Sequence, residues 1–200
     1  MSAEFDTAGL VALAAALGWA SGFRLYAIVF LAGLAGQMGW VELPPGLVVL
    51  EHPALMGVSG ALLLTEFLVD KIPLLDSLWD AVNSVIRIPA GAALAAAVLG
   101  ADGTAMAVLG ALLGGSLAVS SQLAKSSVRA AINTLPEPFS NLAASLTEDG
   151  LALGMVWLAV SKPVVFAVAL LLLLSAAGVA IWVFLRFLRM GLARIRARFG

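Results

Sequence analysis

The side chains able to do chemistry in this chain gather in two stretches, each set into apolar sequence. The first runs Thr65-Glu66-Phe67-Leu68-Val69-Asp70-Lys71-Ile72-Pro73, then through Asp76 and Asp80 to Arg87-Ile88-Pro89. Glu66 and Asp70 are four residues apart and share a helix face. Pro73 ends that helix. Asp76, Asp80, Asn83, Ser84 and Arg87 then recur at three- and four-residue spacing, with Leu75, Leu78, Val82 and Ile86 on much of the other side. The second stretch carries Lys125, Arg129 and Asn133 at intervals of four, a break at Pro136-Glu137-Pro138, then Asn141, Ser145, Glu148 and Asp149. Acids of this kind can carry protons or bind a cation, and the bases can hold an anionic group. Opposed charges at a shared depth satisfy one another. They can also form a gated polar pathway, in which a substrate displaces an internal ion pair. Arg24 joins them from the first apolar run, or else snorkels to the outer surface.

Each group has a plainer reading. The 71–87 segment can be an interfacial helix whose carboxylates face water. Lys125 and Arg129 can mark a cytoplasmic edge, and Thr147-Glu148-Asp149 can cap and charge a helix start. Glu66 favours the sharper reading. It lies most of a turn deeper than Asp70 in an apolar run, where a lone carboxylate would be protonated or paired.

The elements that must position these residues follow from composition. The 200 residues are 62% hydrophobic and only 12% charged, with a mean hydropathy of +1.07. A soluble domain carries about 25% charged residues, so too few polar residues exist to coat a soluble globule. A multi-pass membrane protein remains. Net charge of −1 argues against nucleic acid. The absence of cysteine excludes disulfides and thiolate chemistry, and a single histidine, His52, excludes multi-histidine metal sites. Gly57-Val58-Ser59-Gly60 matches the short serine motif of rhomboid-type intramembrane proteases, but no histidine base stands on a facing helix. We therefore expect no enzyme and no cofactor.

Apolar runs occupy roughly 7–37, 53–70, 86–101, 104–124, 148–161 and 163–187, against ~20 residues needed per crossing. They predict six transmembrane helices. The first is too long for one straight span and should break near Gly22, beside Arg24. Lys162-Pro163 should turn a helical hairpin. The polar stretches 71–87 and 125–147 read as two amphipathic helices on the cytoplasmic side, re-entrant or interfacial. Gly18-x-x-x-Gly22 and Gly110-x-x-x-Gly114 should let helices approach closely. A three-plus-three inverted repeat is an open alternative, since Gly60–Lys71 can be laid on Gly114–Lys125 with few identities. With six spans, nine of the eleven basic residues fall on one side. The positive-inside rule then places both termini in the cytoplasm of a cell inner membrane. Residues 1–187 form one helical domain, and 188–200 a basic tail suited to anionic lipid.

The residues also resemble a known family. Gly22-Phe23-Arg24, Glu66-x-x-x-Asp70-Lys71-Ile72-Pro73-x-x-Asp76, Asp80, Arg87-x-Pro89-x-Gly91 and Lys125-x-x-x-Arg129-x-x-x-Asn133, with Asn141, Ser145, Glu148 and Asp149, resemble a bacterial multi-pass membrane family, the domain of unknown function number 4126. Ser140-Asn141-Leu142 departs from the Asn-Pro pair expected there. The resemblance implies an all-α membrane fold and the choice of polar residues, and no activity.

The function these readings favour is a small transporter or channel for a polar solute or ion. Its site lies near the inner leaflet and draws on Arg24, Glu66, Asp70, Lys71, Asp76, Asp80, Arg87, Lys125, Arg129, Asn133, Asn141, Glu148 and Asp149. Two rivals are a lipid-handling protein that engages headgroup phosphate and a non-transporting membrane scaffold. The expected partners are the bilayer, a small polar solute, ion or lipid headgroup, and a second copy of the chain, since six short spans make a small pore-former.

Overall fold

The computed structural model describes residues 6–70, 72, 75–132 and 139–199. Six α-helices carry the fold: α1 (Thr7–Gln37), α2 (Pro53–Val69), α3 (Leu75–Leu99), α4 (Thr104–Ile132), α5 (Phe139–Ser161) and α6 (Pro163–Phe199). Two 3-10 turns, Pro45–Glu51 and Gly100–Asp102, complete it, and the described residues contain no strand. This is an all-α membrane fold. Helices suit such a chain because each satisfies its own backbone hydrogen bonds, which lipid cannot do. Local signals start two of them. Asp6 caps α1 by accepting from the Gly9 N–H at 2.7 Å. His52 accepts from the Ala54 N–H at 3.2 Å, ahead of Pro53. The lone histidine is thus a helix cap.

Five helices, α1 and α3 to α6, are long and apolar enough to cross a membrane. The first 3-10 turn and α2, bent by 70°, form a sixth candidate. Burial is reversed relative to a soluble bundle. On α3 the side chains of Asp76, Asp80, Asn83 and Arg87 are buried, while Leu78 is 61% and Val85 74% exposed. The charged stripe faces inward and the apolar face outward. The expected pair of separate amphipathic helices is corrected accordingly. The 75–87 segment is the first half of α3, and 125–132 and 139–147 are the ends of α4 and α5. An apolar-run reading stops each span where charges begin. The helices continue because those charges turn away from lipid.

α1 lies at the centre and touches every other helix. It does not run straight. Arg24 has non-helical angles, φ −144° and ψ 63°. Leu13 and Ala35 line one apolar cavity of about 230 Å³, yet a straight helix would hold them about 33 Å apart. The neighbours agree. Gly91 of α3 packs on Gly18, and a Cβ on Gly46 would meet the Ala97 carbonyl. Gly33 in turn abuts the carbonyl of Leu50, four residues beyond Gly46. So α3 runs antiparallel to residues 7–23, and residues 25–37 return toward the end where Ala97 lies. α1 is a re-entrant hairpin with Arg24 at its tip. The expected break near Gly22 is found two residues on, as a reversal rather than a tilt.

Close approach of α1, α3 and α4 makes this possible. A Cβ on Gly18 would stand 2.4 Å from the Gly114 Cα, and one on Gly114 2.4 Å from the Gly91 carbonyl oxygen. Only glycine permits that separation. α5 and α6 form the expected hairpin about Lys162. Ser140 and Ala180, far from that joint along each helix, line a single cavity.

α1 thus enters and leaves at one end of the bundle. The start of α1 lies at the Lys162 end, beside Val156 and Val160, and α6 finishes at the other. Up to six spans stay allowed by length and composition, and the reversal sets the start of α1 and the end of α6 at opposite ends of the bundle.

Candidate functional site

At the tip of the α1 hairpin, five helices bring ten ionisable side chains together. α1 supplies Arg24; α2 supplies Glu66, with Asp70 just past its end. α3 gives Asp76, Asp80 and Arg87, α4 gives Lys125 and Arg129, and α5 gives Glu148 and Asp149. Nine are almost fully buried, and the tenth, Asp149, is 32% exposed at its side chain.

The pairing is interhelical. Arg24 spans three helices: it pairs with Asp70, reaches Glu66 Oε1 at 3.5 Å and Glu148 Oε2 at 3.7 Å, and sets Nε 2.6 Å from Asp149 Oδ1. It also donates to the hydroxyl and carbonyl oxygens of Ser145. Ser145 Oγ in turn donates to Asp70 Oδ2 at 3.0 Å. Arg87 donates to Asp80 Oδ1 at 2.7 Å, to Glu66 Oε1, and to Gln122 Oε1 at 3.3 Å. Lys125 Nζ lies 2.9 Å from Asp80, 3.4 Å from Glu148 and 4.0 Å from Glu66. It also donates to the Phe23 carbonyl at 3.3 Å. That carbonyl belongs to the residue just before the reversal at Arg24, and the lysine ties it to α4. Arg129 grips Glu148 with two bonds of 3.0 Å, a bidentate geometry suited to guanidinium. It lies 3.6 Å from Asp76 and 3.8 Å from Asp70.

Two features mark the cluster as more than a set of closed pairs. Six carboxylates face four cations among the described residues, an excess of two negative charges if all are ionised. Uncompensated buried charge is costly, so bound protons or a cation would stabilise this group. Second, Glu66 Oε2, Asp70 Oδ1 and Asn141 Oδ1 are buried without a hydrogen-bond partner. Buried acceptors of this kind ask for a donor, a water or an ion. No group of three or more His, Cys, Asp or Glu among the described residues is placed to hold a metal.

Of the residues singled out from sequence, Arg24, Glu66, Asp70, Asp76, Asp80, Arg87, Lys125, Arg129, Glu148 and Asp149 meet here. Asn141 joins through its backbone carbonyl, which accepts from Arg129 at 3.4 Å. Lys71 and Asn133 lie outside the described residues. Glu148 and Asp149 do not begin a helix, since α5 starts at Phe139. Arg24 does not snorkel outward; it is 1% exposed. Tyr26 reads from sequence as an interfacial residue, but it is buried and donates its hydroxyl to Asn83 Oδ1. Gln122 also enters the cluster. Its position one turn before Lys125 was the available signal.

A cavity of about 620 Å³ adjoins the cluster between α1, α4, α5 and α6. Its walls are mainly apolar, with Lys125 and Glu148 at its polar side.

A family model described as Domain of unknown function (DUF4126) matches residues 11–185. The match covers most of the chain, which therefore belongs to this family. No curated protein and no solved structure matches it.

Proposed function

We propose that this family member is a membrane transporter for a small charged solute, worked by exchange at the buried cluster. One observation carries the reading: among the described residues, six carboxylates and four cations from five helices meet at the tip of a doubled-back hairpin, with negative charge in excess. A purely structural network gains little from surplus buried charge, which costs several kcal/mol per uncompensated ion. Broken helices that place their tips on ionisable groups mid-membrane are a recurrent feature of transporters. The cytoplasmic face is assigned from basic residues. Arg186 and Arg189 lie on α6 beyond its most apolar part, and Arg194, Arg196 and Arg198 follow, so this end faces the cytoplasm of a bacterial inner membrane. The N-terminal end of α1 then faces outward.

The test is proton and cation flux in liposomes holding the purified chain and a pH-sensitive dye. Wild type should dissipate or exploit an imposed pH gradient at least ten times faster than protein-free vesicles. Asp80→Asn should remove most of that rate while the protein still melts cooperatively in detergent. Absence of flux with any cation or anion tried, together with rapid exchange of labelled lipid between leaflets, would move the assignment to lipid handling. Neither activity would leave a scaffold.

A further inference from the structure

We infer that the 620 Å³ groove beside the cluster is a binding site for a lipophilic organic cation, the positive charge resting at Glu148; this rests on the transport reading and names its substrate class. The volume lies within the ~300–1,000 Å³ range of small-molecule sites. Three features of the groove set the occupant's chemistry.

The first is the wall. Leu173, Ala177 and their neighbours on α6 form one side, and α6 is the most lipid-exposed helix of the bundle. An occupant of the groove lies against this mostly apolar wall, which favours apolar surface on it. The second is the aromatic pair. Trp19 and Phe23, tilted at 58° with centroids 4.8 Å apart, line the side toward the cluster. Aromatic faces attract desolvated cations.

The third feature, charge, favours a cation. The adjoining cluster carries two more carboxylates than cations among the described residues. A monovalent cation reduces that excess to one, whereas an anion raises it to three. Glu148 is held by Arg129 with two bonds of 3.0 Å and lies 3.4 Å from Lys125; the newcomer takes the place of Lys125, which has other partners. When Lys125 leaves Glu148, it keeps Asp80 at 2.9 Å and the Phe23 carbonyl at 3.3 Å. Ligand binding therefore reaches the α1 tip through Lys125, which links the groove to the groups that balance the charge.

Tetraphenylphosphonium is the probe, measured by equilibrium binding of the labelled ion to the full chain in detergent. The expected result is saturable binding of about one ion per chain. Glu148→Gln should weaken it at least tenfold. Because that change also frees Arg129, a second variant, Ala177→Phe, fills the groove from a half-buried wall position and should abolish binding while the melting temperature stays unchanged. Val164→Ala, at the far end of α6, should bind as wild type does. No saturable binding by wild type overturns the inference. So does binding that survives both variants, or competition by dodecyl sulfate with no effect of tetraphenylammonium-type cations. Binding without flux in liposomes leaves the groove assignment standing and removes the transport reading; proton flux without binding does the reverse.

Discussion

At the residue scale, the cluster's energetics turn on pairs whose members come from different helices. Removing one member leaves the other charge buried and unpaired, at a cost of about 3–5 kcal/mol, while removing both restores balance. Arg24→Gln and Asp70→Asn should each lower stability by about that much, and the double change should cost clearly less than the sum. Unfolding in mixed detergent and denaturant would read this; strict additivity would mean that the two groups do not interact. Most of these residues were legible from sequence, because an ionisable group inside an apolar run demands a partner. Tyr26 was not. A tyrosine near a span end commonly lies at the interface, and only the fold-back of α1 carries this one to Asn83.

At the element scale, the helices are inside-out relative to soluble ones. Leu78 faces lipid, so Leu78→Ala should change stability by no more than about 0.5 kcal/mol. Gly114→Leu places a side chain where the Gly91 carbonyl already stands, and should cost about 1–3 kcal/mol or more. Melting curves of the two variants in one detergent compare them directly, and an equal loss would contradict the assigned faces. The hairpin in α1 has its own test. Spin labels on cysteines placed at Val11 and Gln37 would be about 40 Å apart along a straight helix. In the doubled-back form they should lie within about half of that. The long apolar run and its interruption were visible in sequence. The angle at the interruption was not, because a single residue's φ and ψ decide between a bend and a reversal, and no residue type dictates them.

At the scale of the whole molecule, the reversal changes sidedness. Since the chain lacks cysteine, single cysteines report position without background. Positions 8 and 102 should label from the periplasmic side of intact cells, and position 189 only after permeabilisation. Labelling of position 8 from the same side as 189 would put both ends on one face and contradict the reversal. Trp182 and Arg186, stacked at 5.4 Å on α6, should sit at the cytoplasmic interface, where aromatic and basic side chains anchor helices.

Composition by itself determined the solvent. A chain this apolar folds in lipid, and lipid leaves helices as the way to close the backbone. The spacing of four between Glu66 and Asp70, and between Lys125 and Arg129, determined shared faces, because the helix period is fixed by backbone geometry. The glycine pairs determined where helices could touch. Tertiary structure alone decided which charges meet, that α3, α4 and α5 run on through their polar ends, and that α1 turns back at Arg24. These outcomes depend on packing between elements distant in sequence. The reversal costs helical hydrogen bonds locally, and it is held by partners that Arg24 and the Phe23 carbonyl find on α2, α4 and α5.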